Sequence, residues 1–310
     1  MSKTVAVLMG GWSSEREVSL VSGNACVKAL EEQGYKVHGI DVRRDLKDLL
    51  AQIEKVKPAV VFNALHGRGG EDGCIQGVLE ILGIPYTHSG VLASALAMDK
   101  AKAKEIFRDS KIPCPRGLLM SIGDIRAGKV PFKGAYVIKP NAEGSSVGVY
   151  IVKDGNLPDL SEWEYPEALV EEYIPGRELS VAVRGVCGQE AIGFTVTEIK
   201  TDLDFYNYEA KYSSGGSYHV VPAEIPSDIF VKAIEYAELA HKKLGCSGVS
   251  RSDFRYNNDE DSNVKGIFIL EVNTQPGMTP TSLVPEQAAY TGMSFGELVK
   301  WMVENAGVYN

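Results

Sequence analysis

The sequence predicts an α/β chain, with a parallel-sheet domain at its N-terminal end and an α+β C-terminal half built on antiparallel strands. Short buried strands at Thr4–Leu8, Tyr35–Val42 and Ala59–Asn63 alternate with helical segments, the β-α-β rhythm of an open parallel sheet. Further on, Gly248–Tyr256 and Gly266–Asn273 read as two strands flanking the polar stretch Asn257–Asn263, which suits a hairpin loop. Between these regions, Gly134–Tyr150 reads as two strands joined by small residues.

The first strand runs into Gly10-Gly-Trp-Ser-Ser-Glu15, and a helix follows in which Val18, Val21, Ala25, Ala29 and Leu30 recur at helical spacing until Gly34. The third strand runs into His66-Gly-Arg-Gly-Gly-Glu-Asp-Gly73. Both glycine-rich turns fall at the carboxyl ends of parallel strands, where open sheets bind ligands. Each is either a cradle whose amides face an anion or plain punctuation. Val91–Met98 reads as an apolar helix, Asp99–Glu105 turns basic, and Pro113 and Pro115 mark a break. The first domain is therefore placed at residues 1–98, the central one at 99–182 and the C-terminal one at 183–310.

Lys139 closes an apolar strand, a costly place for a charge, so it requires a carboxylate or phosphate partner. The loop Glu143–Gly148 is a plain hairpin or a set of amides and hydroxyls laid over phosphates. Ala168–Ser180 reads as strand, turn and strand, a linker between two sheets, and Val181–Phe194 begins the third domain. Residues 197–222 lack periodicity yet carry four tyrosines and a phenylalanine, which predicts a lid rather than plain disorder, with Lys211 and Tyr212 as its working residues. Helices at Ser227–Leu244 and Ser294–Ala306 are amphipathic cover for the sheet.

Glu271 and Asn273 end a core strand two residues apart and so share a face. A hairpin symmetric about residue 262 sets Asp253 opposite Glu271, beside Arg251. These carboxylates are either simply solvated or an oxygen-only donor set for a hard cation, Mg²⁺ rather than Zn²⁺.

A net charge of −9 and the lack of a basic block exclude a nucleic-acid partner. The short apolar run Val5–Met9 is neither a signal peptide nor an anchor, so no membrane partner and a soluble intracellular protein are expected. Five scattered cysteines in no C-x-x-C pair speak against a disulfide framework or zinc site. Neither a P-loop nor a dinucleotide fingerprint is present.

Taken together, these pieces closely resemble the D-alanine–D-alanine ligase family of the ATP-grasp fold. The motifs that carry the resemblance are Gly10–Leu20, Leu65–Gly73, Met98-Asp-Lys100, Ile138-Lys-Pro140, Glu143–Gly148, Tyr208–Tyr212, Arg251-Ser-Asp253 and Glu271–Met278, spread from Val5 to about Val303. The resemblance implies three domains with ATP held between two antiparallel sheets, and ATP-dependent joining of two D-alanines through a D-alanyl phosphate for peptidoglycan synthesis. It implies ATP and Mg²⁺ as two ions, with Mn²⁺ a substitute, a cytoplasmic location, and a homodimer.

By the same resemblance, Lys100, Lys139 and Lys211 hold ATP phosphates, and Glu171, Ile174 and Glu178 line the adenosine pocket. Asp253, Glu271 and Asn273 match the Mg²⁺ ligands. Glu15 matches the carboxylate that binds the first ammonium, with Ser145 and Tyr212 as its hydrogen-bonded partners, and His66 sits near that substrate. Arg251 and the Gly277 amide match the oxyanion site, and Ser282 and Leu283 the site of the second carboxylate. Tyr212 favours a dipeptide over a D-lactate product. The chain departs from the family's commonest pattern at Ser252 and Gln275, to which the resemblance gives no role. Rival readings are a D-alanine–D-lactate ligase and a catalytically silent nucleotide-binding relative.

Overall fold

The structure, a computed structural model, describes residues 3–144, 148–201, 218–259, 261–262 and 264–309. At the N-terminal end, β1 (Thr4–Gly10), β2 (Lys36–Val42) and β3 (Val60–Asn63) form a parallel sheet in the order β2-β1-β3. The central β1 and the edge strand β3 are buried apolar runs, as strands covered on both faces require, whereas the edge strand β2 buries only Ile40 and Val42. Helix α1 (Arg16–Glu32) lies on one face. Helices α2 (Leu46–Val56) and α3 (Cys74–Leu82) pack with the other, joined by Tyr86. The Asp45 side chain caps α2 by accepting from the backbone amides of Lys47 and Asp48 at 3.0 and 3.2 Å.

Helix α4 (Val91–Met98) leads directly into α5 (Lys100–Asp109), whose N-terminus is capped by the Asp99 carboxylate. A four-stranded antiparallel sheet then forms from β4 (Gly117–Ser121), β5 (Tyr136–Lys139), β6 (Tyr150–Val152) and β7 (Glu167–Glu172), in the order β4-β7-β5-β6. With the short helix α6 (Ile122–Arg126) it encloses its own core around Ile125, Ile138 and Val170.

The second antiparallel sheet has five strands in the order β10-β9-β8-β11-β12: β8 (Arg177–Gly185), β9 (Ala191–Lys200), β10 (Tyr218–Val220), β11 (Gly248–Asn257) and β12 (Gly266–Asn273). Helix α7 (Ser227–Leu244) covers it, with α5 packed alongside. Helices α8 (Leu283–Tyr290) and α9 (Phe295–Glu304) share a core with β1, β3 and α1. The last helix therefore covers the N-terminal sheet, a long-range placement that its own periodicity does not reveal.

Three expectations are corrected here. A domain boundary after residue 182 falls inside β8, which is paired along its length with β9 and β11. The aperiodic segment is shorter than 197–222, because residues 197–200 belong to β9 and 218–220 form β10 beside it. Lys211 lies outside the described residues, as do Ser145 and Tyr212. The β11–β12 hairpin does set Asp253 opposite Glu271, but it is not symmetric throughout, for Phe254 pairs with Ile269 and Leu270 is left over. That extra residue is a β-bulge.

Candidate active site

The bulge decides which residues face the site. On β12, Ile267 and Ile269 are buried in the core, and strict alternation would send Glu271 and Asn273 in after them. The extra Leu270 shifts the phase by one residue. Val272 then takes the core position, while Leu270, Glu271 and Asn273 line open clefts. On β11 the alternation is regular: Ser252, Phe254 and Tyr256 are buried, and Arg251, Asp253 and Arg255 face outward.

Asp253 is held firmly. Arg251 grips it through Nε to Oδ1 at 2.9 Å and Nη2 to Oδ2 at 2.7 Å, and the Ser180 hydroxyl donates to Oδ1 at 2.8 Å. Glu271, across the ladder, lies with its Oε2 3.1 Å from the Lys100 ammonium. Lys100 also donates to the Glu143 carbonyl at 2.6 Å. Its helix is fixed by Asn141, which accepts from the Ala101 amide at 2.9 Å and donates to Asp99 at 2.8 Å. The N-terminus of α5 is thereby tied to the segment that follows β5. Asn273 Oδ1 accepts from the Gln275 amide at 2.7 Å.

From this junction a narrow cleft runs between the two antiparallel sheets, over Val137, Ile151 and Leu270 to Ile174, which follows β7 where the chain crosses from one sheet to the other. Arg255 stabilises the crossing by donating from Nε to the Ile174 carbonyl at 3.1 Å, and its Nη1 lies 3.5 Å from Glu178. Deep in the cleft Glu171, 2% exposed, carries Lys139 on Oε1 at 2.5 Å and Lys104 on Oε2 at 2.9 Å. Burial works to raise the Glu171 carboxyl, but the two ammonium groups outweigh it and hold it below the usual carboxylate range. Burial conversely pushes the Lys104 ammonium down against the pull of Glu171.

A wider chamber opens on the other side of the same junction, toward the N-terminal sheet. Glu15 and His66 line it from the two glycine-rich turns, and Gly277, Ser282 and Leu283 line it from the segment after β12. Glu15 is almost covered, since the turns close on it. A Cβ at Gly67, where φ is +68°, would stand 2.9 Å from Glu15 Oε2, and one at Gly144 would stand 3.0 Å from it. His66 is fixed by Ser22 Oγ at 3.2 Å from Nε2, and by the Gln275 carbonyl at 3.1 Å from Nδ1. Ser282 Oγ accepts from the Thr279 amide at 3.1 Å and lies 3.0 Å from where a Gly277 Cβ would be.

Lys139 has the carboxylate partner its position demanded, and the described residues named from the sequence all border the cleft or the chamber. Sequence reasoning missed Lys104, Arg255, Ser180 and Gln275. Gln275, 1% exposed, donates to the Asn63 carbonyl and accepts from Asn63 Nδ2 at 3.1 Å, stitching β3 to the end of β12. It therefore has a structural part that the resemblance did not give it. The spacing of Lys104, four residues after Lys100 on one helix, was the available signal for the first of these.

The donor set at the junction fits a hard cation: two carboxylates and an amide oxygen on neighbouring strands, with no sulfur or imidazole. Among the described residues no group of three or more His, Cys, Asp or Glu side chains gathers as a complete metal cage. Asp253, Glu271 and Asn273 are the residues that would hold a divalent ion here, and it would supply charge neutralisation.

A cleft between two antiparallel sheets, lysines along it and carboxylates at its mouth define the ATP-grasp class of fold. Residues 43–89 match the family model for the D-ala D-ala ligase N-terminus, and residues 131–304 match that for the D-ala D-ala ligase C-terminus. The chain is 54% identical over 308 residues to the D-alanine--D-alanine ligase of Paramagnetospirillum magneticum, covering 99% of each. It superimposes on the crystal structure of the Bacillus anthracis D-alanine--D-alanine ligase complexed with ATP with a TM-score of 0.77 at 28% identity, over 98% of this chain and 97% of that one. It also superimposes on the VanG D-Ala:D-Ser ligase of Enterococcus faecalis with a TM-score of 0.80 at 29% identity, over 98% and 99%. The chain belongs to the D-alanine–D-alanine ligase family.

Proposed function

We propose that this chain joins two molecules of D-alanine at the expense of ATP, supplying the dipeptide for peptidoglycan synthesis. The observation that carries the reading is the shared wall. Lys100, Asp253 and Glu271 border both the nucleotide cleft and the substrate chamber, so a γ-phosphate at the end of the one meets a carboxylate held in the other.

A carboxylate oxygen of the first D-alanine attacks the γ-phosphorus, and ADP leaves. The amine of the second D-alanine then attacks the acyl carbon, phosphate leaves, and the nitrogen gives up a proton. Lys100, Lys139 and Lys211 hold the phosphates, and Ile174 and Glu178 flank the adenosine. Glu171, a buried acceptor, faces its base. Asp253, Glu271 and Asn273 would hold Mg²⁺, as two ions with Mn²⁺ able to replace them, which supplies charge neutralisation for phosphoryl transfer. Glu15, with Ser145 and Tyr212, receives the first ammonium. Arg251 and the Gly277 amide stabilise the oxyanion, and Ser282 and Leu283 receive the second carboxylate.

The same reading makes the chain a cytoplasmic homodimer of three domains, 1–98, 99–176 and 177–310, the second boundary now set before β8. Ile81 at 89% and Leu92 at 71% exposure, on the neighbouring helices α3 and α4, supply an apolar face for a second copy. Among the described residues no helix is long and apolar enough to cross a membrane.

The test is phosphate release from ATP and Mg²⁺ with D-alanine, L-alanine, or D-alanine plus D-lactate or D-serine, with the product identified by mass. Release with D-alanine alone, giving the dipeptide, is expected. Release only when D-lactate or D-serine is present would move the second substrate, and no release with any of them would leave a silent nucleotide-binding relative.

A further inference from the structure

Two lysines serve one buried carboxylate in the nucleotide cleft, and they are not equivalent. Lys139 lines the cleft, where the proposed reaction also gives it phosphates to hold. Lys104 does not line it. Its side chain is 1% exposed on the far side of Glu171, and its ammonium makes an ion pair at 2.9 Å rather than a well-aligned hydrogen bond. Lys100, one turn earlier on the same helix, reaches the opposite, phosphate end of the cleft by pairing with Glu271. Helix α5 thus sends one ammonium to each end.

We infer that Lys104 is a positioning residue for base selection, a fixed counterion that keeps Glu171 ionised and aimed into the cleft so that it selects a 6-aminopurine over a 6-oxopurine. This rests on the nucleotide reading of the cleft given above. The phosphates belong at the end bearing Lys100, Asp253 and Glu271, so the base lies toward Ile174, where Val137, Ile151 and Leu270 supply apolar wall and Glu171 is the deeply buried charged acceptor. An ionised carboxylate only accepts hydrogen bonds. It pairs with an exocyclic amine and repels a carbonyl oxygen in the same place. A protonated carboxyl would donate as readily as accept, and a buried carboxylate without a counterion takes up a proton. Lys139 alone cannot serve both Glu171 and the phosphates with full effect, so the permanent partner is the one behind.

The test compares ATP with inosine triphosphate, its 6-oxo counterpart, in D-alanine-dependent phosphate release by the full chain. Wild type, Lys104→Met, Glu171→Gln and the double variant are assayed, with circular dichroism checking the fold. Lys104→Met is expected to lower the ratio of kcat/KM for ATP over inosine triphosphate at least about tenfold, chiefly through KM for ATP. In the Glu171→Gln background, where no carboxylate remains for it to hold, the same substitution is expected to change that ratio less than twofold, because Lys104 acts only through the carboxylate.

If Lys104→Met leaves the ratio at the wild-type value, the inference is overturned. It is equally overturned if the substitution lowers the ratio as much without Glu171 as with it. Should Lys104→Met not fold, the pair of Glu171→Gln and double variants decides alone: equal ratios, both at least tenfold below wild type, support the inference, and unequal ones overturn it. Absence of D-alanine-dependent release by the wild type would instead sink the ligase reading itself.

Discussion

Glu271 concentrates the site's chemistry in one side chain. It stands across the ladder from Asp253, it meets Lys100 at 3.1 Å, and it lines both openings. Replacing it with glutamine keeps its shape and removes its charge. Loss of one group that stabilises transition-state charge typically costs about a hundredfold to a thousandfold in turnover, and Glu271→Gln is expected to reach at least the lower figure in the phosphate-release assay. Glu271 itself is only half-buried, and Lys100 keeps the Glu143 carbonyl as a partner, so the melting temperature should move by no more than a few degrees. Near-normal turnover would remove Glu271 from the metal assignment. The charges that end apolar strands, Lys139 and Glu271, were legible in the sequence because water would otherwise have kept them outside the core. Lys104 was not, since it stands in a run of alternating lysines and alanines, and only the phase of α5 buries Lys100 and Lys104 while leaving Lys102 exposed. Gln275 was undervalued because its partner Asn63 lies 212 residues away in the chain.

At the scale of elements, the β11–β12 hairpin carries most of the site, and its register was only half readable. Polar residues at the strand ends located the Asp253–Glu271 pair, but a simple hairpin cannot hold that pair and also keep Ile267 and Ile269 in the core. The bulge at Leu270 resolves the conflict, and nothing in the apolar run Ile267–Leu270 distinguishes the residue that is left over. Deleting Leu270 should therefore do far more harm than changing it. Without the bulge, either Glu271 and Asn273 turn toward the core or the isoleucines turn toward the cleft, and each outcome costs several kcal/mol by exposing apolar or burying charged groups. The deletion is expected to lose at least about a hundredfold in activity and to melt well below wild type, whereas Leu270→Val should keep the fold and mainly raise KM for ATP. A deletion variant with wild-type melting and activity would show that the bulge does not set the register.

For the whole molecule, β11 is where the parts meet, and two buried histidines make that meeting sensitive to acid. His88, in the chain between β3 and α4, sits with Nδ1 3.2 Å from the Val249 carbonyl, and His241, on α7, sits with Nδ1 2.7 Å from Ser250 Oγ. Burial pushes each down from 6.5 to about 4. The folded chain therefore refuses a proton that the unfolded chain accepts from about pH 6.5 downward, so their contribution is fully present above pH 6.5 and is lost as the pH falls toward 4. Each shift corresponds to about 3 kcal/mol over that window. The carboxylates that their partners hold low, Asp41 beside Arg16, Glu171 beside its lysines and Glu198 beside Arg177, add their losses only below about pH 4.5. Between pH 6.5 and 4.5 the slope belongs chiefly to the two histidines. Urea unfolding at pH 7, 6 and 5 should show stability falling by about 2 to 3 kcal/mol per pH unit once both are titrating in the unfolded chain. His241→Gln, whose amide can still reach Ser250, should lower stability at pH 7 but roughly halve that slope. Parallel curves for the variant and the wild type would mean that His241 takes its proton equally readily in both states, and that acid loosens this molecule through its carboxylates instead.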